Sequence, residues 1–69
     1  MDREKAFEGL ASWKRDLGHE LTEVLLNFKN GRLEAIDCYL EIQKILNTFE
    51  VKALDILDRV GYLDHKTQN

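Results

Sequence analysis

The sequence predicts an all-α protein built as an antiparallel helical hairpin. The chain of 69 residues contains no proline, and its apolar residues recur at steps of three and four. That spacing is typical of amphipathic helices, which proline would interrupt. Asn30-Gly31 is the one clear stop inside the chain, so we expect helices over about 2–29 and 33–60.

The first predicted helix carries a heptad seam of the coiled-coil type. Its members follow one another at alternating steps of three and four: Phe7, Leu10, Lys14, Leu17, Leu21, Val24 and Phe28. Such a seam buries one side of a helix against a neighbour. Gly18 costs about 1 kcal/mol relative to alanine inside a helix, so we expect it to allow close packing or to kink the helix. Gly31 then ends the helix in a left-handed conformation.

The second predicted helix has apolar residues on two sides. Its main face comprises Cys38, Tyr39, Ile42, Ile45, Leu46, Phe49, Ala53, Ile56, Leu57 and Val60. A second stripe, roughly opposite, comprises Leu33, Ile36, Leu40, Val51 and Leu54. A helix that is apolar on two sides is buried on two sides. The first helix covers only the main face, so the second stripe must pack against something else. At its C-terminal end, the second helix is closed by Gly61.

One alternative fold remains open at this point. The segment Asn47-Thr48-Phe49-Glu50 fits the capping-box pattern of a helix N-terminus. A break near Asn47 would divide the second helix and give a three-helix domain. The main face continues through Asn47 without a change of phase, which favours the unbroken helix.

The second stripe predicts a homodimeric four-helix bundle. If two copies of the second helix pair antiparallel about a two-fold axis near Ile45, Ile36 lies opposite Leu54 of the second copy and Leu40 lies opposite Val51. Two other covers are possible for the stripe, namely a different protein or folded-back terminal residues. We expect residues 1–64 to form a single helical domain and residues 65–69 to form a flexible polar tail.

Composition excludes several classes of protein. A single cysteine cannot form an internal disulfide, no apolar run approaches the length of a membrane span, and the N-terminus lacks the apolar region of a signal peptide. We therefore expect a soluble cytoplasmic protein. The formal net charge of −3 argues against a nucleic-acid binder. The alternative is an RNA- or DNA-binding regulatory dimer that uses Lys14, Arg15, Lys29 and Arg32.

No pattern of catalytic residues is present, so we expect no enzyme, no cofactor and no small-molecule substrate. The densest group of possible metal ligands, which is Asp16, His19, Glu20 and Glu23, falls on the solvated side of the first helix, so we expect no metal. Cys38 falls on the main face, where a thiol packs as a small apolar group.

The function predicted from these patterns is that of a small non-enzymatic protein-interaction module, such as a regulator, an inhibitor or a co-chaperone. It would act by helix-on-helix docking, as a homodimer or with a different protein. We expect the partner interface to comprise Ile36, Leu40, Val51 and Leu54. Trp13 either anchors the partner, as tryptophan often does at interfaces, or flanks the core of the hairpin.

Overall fold

The computed structural model describes residues 3–61, which form a helical hairpin. Helix α1 spans Arg3–Lys29 and helix α2 spans Ala35–Arg59, and no strand occurs within these residues. Contacts between Gly9 and Ile56 and between Trp13 and Phe49 show that the helices run antiparallel. The predicted all-α hairpin is confirmed. Asp2 and residues 62–69, which include the predicted tail, lie outside the described residues.

The turn between the helices forms where Gly31 was expected to end α1. Gly31 has a φ of 78°, which glycine adopts without a steric penalty. Its N–H donates to the carbonyl of Phe28 at 3.1 Å, and the N–H of Arg32 donates to the carbonyl of Asn27 at 2.8 Å. This pair of bonds is a Schellman motif, which satisfies the last carbonyls of the helix.

Helix α2 begins at Ala35, two residues later than the predicted start at 33. Glu34 is the N-cap, with an extended backbone (φ −76°, ψ 159°) that redirects the chain out of the turn. Its carbonyl accepts the first helical bond from the Cys38 N–H at 2.9 Å, and its side chain makes no capping bond. The start was misplaced because no capping residue marks it in the sequence.

Both helices are continuous over their described lengths. Helix α2 passes through Asn47 without interruption, so the alternative three-helix fold is wrong. Helix α1 passes through Gly18, and a Cβ added there would meet no atom within 4 Å. The close packing expected at Gly18 is therefore absent among residues 3–61. Gly61, with a φ of 83°, follows the end of α2 as predicted.

The core of the hairpin is a thin line between the helices. Among residues 3–61, four apolar residues are buried, two from each helix: Ala6, Val24, Cys38 and Phe49. The half-buried residues around them include Leu10, Trp13, Leu17, Leu21, Ile42, Ile45, Ala53, Ile56, Leu57 and Val60. The closest approach is at Gly9, where the missing side chain admits Ile56. The principal extents of 47 × 27 × 9 Å describe a single layer of helices.

The predicted seam of α1 is wrong at three of its members. Phe7 is 71% exposed, and Lys14 and Phe28 are also exposed. Ala6, Gly9 and Trp13 face α2 instead. The N-terminal half of α1 is therefore rotated by about one residue from the predicted seam. The close approach at Gly9 and the large Trp13 ring fix this orientation.

We expect alanine to have opposite effects at the two glycines of α1. At Gly9 an ideal Cβ would lie 2.7 Å from Cγ2 of Ile56, a branched methyl group that cannot simply swing away. Gly9→Ala should lower the free energy of unfolding by about 1–3 kcal/mol through overpacking, even after the gain in helix propensity. Gly18→Ala should raise it by about 0.5–1 kcal/mol, because a Cβ at that position is unobstructed.

Urea unfolding followed by circular dichroism, with the variants at equal concentrations, measures both changes. Equal stabilisation by the two substitutions would contradict the close approach of Gly9 to Ile56.

Candidate functional site

The candidate site is the side of α2 that faces away from α1. Ile36, Leu40, Val51 and Leu54 are all exposed, at between 49% and 67% of their accessible area. Leu33, the fifth residue of the second stripe, is half-buried because it lies in the turn, before α2 begins. A single layer of two helices leaves nothing in the described chain to cover the other four residues.

Two further residues of α2 belong to this exposed surface. Tyr39 and Leu46 were predicted to lie on the main face, but both are exposed. At 100° per residue they lie on the flank of α2, between the buried line through Cys38 and Phe49 and the second stripe. A single neighbouring helix covers too narrow a band to reach them. The exposed apolar surface of α2 is therefore wider than the sequence predicted.

Helix α1 adds apolar residues beside this flank. Phe7, Leu25 and Phe28 are exposed, as is Leu26. Phe7 and Leu57 line the same open groove of about 580 Å³, together with Arg3, Glu4, Ala6 and Leu10. Because both residues line this groove, the flank of α1 that carries Phe7 and the flank of α2 that carries Leu57 lie on the same broad side of the hairpin.

A polar strip bounds the candidate site on the other flank of α2. Lys44 pairs with Glu41 at 3.5 Å, and Arg59 pairs with Asp55 at 2.9 Å. These are exposed pairs within one helix, and such pairs contribute little to stability. Their effect is to keep this flank hydrated, so that the apolar surface has a defined edge.

Trp13 lies in the contact between the two helices. Its Nε1–H donates to the backbone carbonyl of Phe49 at 2.6 Å, and the two rings lie 6.4 Å apart at an angle of 55°. The ammonium of Lys52, a residue of the same helix as Phe49, lies 4.5 Å from the centroid of the Phe49 ring. Half-buried and hydrogen-bonded within the chain, Trp13 fits the predicted alternative in which it flanks the core. The candidate site therefore depends on the residues of α2.

The four cations of the nucleic-acid alternative fall into two separate pairs. Lys14 and Arg15 lie in the middle of α1, whereas Lys29 and Arg32 lie at the turn. Fifteen residues of continuous helix separate Lys14 from Lys29, a distance of about 22 Å. Arg32 also donates to the side-chain oxygen of Asn27 at 3.4 Å. The four side chains do not form one basic patch.

The groups that carry other chemistry remain dispersed. Within residues 3–61, no three His, Cys, Asp or Glu side chains come together where they could hold a metal ion. The Cys38 thiol is free and buried in the core. Neither described helix is long and apolar enough to cross a membrane. The exposed apolar surface is thus the most distinctive chemical feature of the described chain.

Comparisons with known proteins leave this surface to be interpreted from its own geometry. No protein-family model matches the chain, and neither a curated protein nor a solved structure matches it.

We expect the indole N–H of Trp13 to contribute to the stability of the hairpin. Trp13→Phe keeps an aromatic ring but removes the hydrogen bond to the carbonyl of Phe49, so it should lower the free energy of unfolding by about 1–2 kcal/mol. The matched control is Tyr39→Phe, which removes the hydroxyl group of an exposed ring and should change the free energy by less than about 0.5 kcal/mol.

Urea unfolding at equal protein concentrations makes the comparison. A Trp13→Phe variant as stable as the wild type would show that this hydrogen bond does not hold the helices together.

Proposed function

We propose that the protein is a small non-enzymatic interaction module, of the kind used as regulators, inhibitors or co-chaperones, and that it works in the cytoplasm. It docks the exposed side of α2 against a helical surface of another chain. The observation that carries this proposal is the exposure of Ile36, Leu40, Val51 and Leu54 on one side of α2.

The amount of exposed apolar surface supports a docking role. Ten large apolar side chains are exposed among the described residues, six of them on α2. The six on α2 present roughly 600 Å² of exposed area, at the upper end of the about 300–600 Å² of the largest apolar patch on a typical monomer. A standard interface takes about 800 Å² from each partner, polar atoms included, so these residues supply most of the area that a stable partner needs.

The shape of the surface favours a helix as the partner. The exposed residues follow one side of a straight helix from Ile36 to Leu54, a length of about 27 Å. Residues at helical spacing present ridges and grooves into which the side chains of another helix fit. The groove of about 580 Å³ is open and lies at the Phe7 end of α1, away from the middle of the stripe.

A paired charge substitution tests the docking role. Leu40→Glu with Val51→Glu places two carboxylates in the exposed stripe, where any interface would bury them without a partner, and should release the protein from its assembly as a monomer. The matched control, with the same change of net charge, is Ser12→Glu with Thr22→Glu, at exposed positions of α1 away from the stripe, which should leave the assembly intact.

The measurement is the size of the protein, by gel filtration with immunodetection, in extracts of cells that make it and after purification. The wild type and the control should elute well above the 8.1 kDa monomer. A wild-type protein that elutes as a monomer in both samples would contradict the proposed function.

A further inference from the structure

We infer that the partner on α2 is a second copy of this chain, with the two α2 helices antiparallel about a two-fold axis opposite Ile45. The inference rests on the proposed docking function and names its partner. It depends on a symmetry in the positions of the exposed residues, on their chemistry, and on the area that they offer.

The side of α2 that faces away from α1 carries exposed residues at heptad spacing, three of them apolar and three polar. Six exposed residues follow one another at alternating steps of four and three, and we call them the back seam: Ile36, Leu40, Gln43, Asn47, Glu50 and Leu54. Val51 lies beside Glu50 at the edge of the seam and is also exposed. Alternating steps of this kind are the pattern by which one helix packs along another.

The back seam is symmetric about a single point. Ile36 and Leu54 each lie nine residues from Ile45, Leu40 and Glu50 each lie five, and Gln43 and Asn47 each lie two. An antiparallel second copy centred on Ile45 therefore places every seam residue opposite another seam residue, all in one register. A self-complementary surface of this kind is what a two-fold dimer requires. Any run of alternating steps that begins and ends with a step of four is symmetric in this way, so a second copy is favoured by the residues that the register brings together and by the area they offer.

The residues that meet in this register are chemically compatible at both ends and at the centre. Ile36 meets Leu54 of the second copy, so each end of the interface is apolar. At the centre Gln43 meets Asn47 of the second copy, and a side-chain amide both donates and accepts hydrogen bonds. By symmetry the amide pair occurs twice. A shift in register would separate these amides from their partners, which disfavours other alignments.

The remaining layer is the weakest. Leu40 faces Glu50 of the second copy, and the neighbouring Val51 covers Leu40 while the carboxylate stays at the edge. Leu46 lies one residue past the axis, so the two copies of this side chain approach each other on the apolar flank. Lys44 lies on the opposite, polar flank, where Glu41 pairs with it at 3.5 Å within each chain.

The area is sufficient for such a dimer. The six exposed large apolar residues of α2 present roughly 600 Å² per chain, of which Tyr39 and Leu46 supply about a third. With the polar members of the back seam, the surface available to a second copy reaches at most about the 800 Å² per partner of a standard interface. The apolar flank formed by Tyr39 and Leu46 lies next to the seam, so the same second copy covers it in part.

Cysteine cross-linking tests the register directly. In a Cys38→Ala background, one sample contains Ile36→Cys alone, and another contains Ile36→Cys mixed with ¹⁵N-labelled Leu54→Cys. In the inferred dimer positions 36 and 54 are adjacent across the interface, whereas the two copies of position 36 lie about 27 Å apart. A disulfide needs Cα atoms within about 7 Å.

We expect mild oxidation to give a disulfide-linked dimer in the mixture, with one labelled and one unlabelled chain by mass spectrometry. Ile36→Cys alone should give no linked dimer. Linkage of Ile36→Cys alone would show a parallel pairing and would overturn the inference. The absence of linkage in both samples would also overturn it.

A substitution that strengthens the weakest layer gives a second test, which misfolding cannot imitate. Glu50→Leu replaces the carboxylate opposite Leu40 with an apolar side chain, and the dimer contains this layer twice. The substitution should therefore lower the dissociation constant of the dimer about tenfold to a hundredfold. Ile36→Glu should raise it about a hundredfold or more, with helicity retained. Sedimentation equilibrium measures both constants.

The two proposals fail in different ways. A purified wild-type chain that stays monomeric at tens of micromolar overturns the second copy as the partner. If the same chain elutes in a larger assembly from cell extract, and that assembly is lost with Leu40→Glu and Val51→Glu, the docking function stands with a different protein as its partner.

Discussion

The architecture of this protein is limited by the fact that two helices side by side form only one layer. A helix in such a pair has one neighbour and buries one band of its surface, and the Cα layer is accordingly 9 Å thick. Helix α1 leaves four large apolar residues exposed outside this band. Helix α2 leaves six, because apolar residues occupy its flank and its back as well as its buried face. The apolar residues of α2 that α1 does not cover are exposed because the fold is a single layer. They form the candidate site.

The features that the sequence predicted best are those determined by neighbouring residues. The end of α1 was placed correctly because a glycine in the left-handed region closes a Schellman motif with groups only three and five residues away. The absence of proline and the constant phase of the main face predicted an unbroken α2 through Asn47. The start of α2 was missed by two residues, because Glu34 caps the helix with its backbone alone.

The features that the sequence could not predict depend on pairs that are distant along the chain. A heptad pattern shows that a helix has a buried side, but it does not determine the rotation of the helix to within one residue. Either of two adjacent residues can lie at the centre of the buried side. Phe7 and Lys14 fitted the spacing as well as Ala6 and Trp13 did. The choice between them is made by the approach of Ile56 to Gly9 and by the hydrogen bond from Trp13 to Phe49. Gly9, a small residue within the contact face, was the available signal for this rotation.

The candidate site was largely predictable, because a surplus of apolar residues is visible in the sequence without knowledge of the exact rotation. Its four central members are exposed in the structure, whereas Tyr39 and Leu46 were assigned to the wrong side. The exposed apolar residues of α2 also bear on the stability of the folded hairpin. With only four buried side chains, the hairpin has little apolar burial to offset the entropy of ordering its backbone. Any chain that covers α2 adds burial to the folded state alone and so stabilises it by mass action. In the proposed docking function, docking and folding are therefore parts of one equilibrium, in which α2 contributes to both.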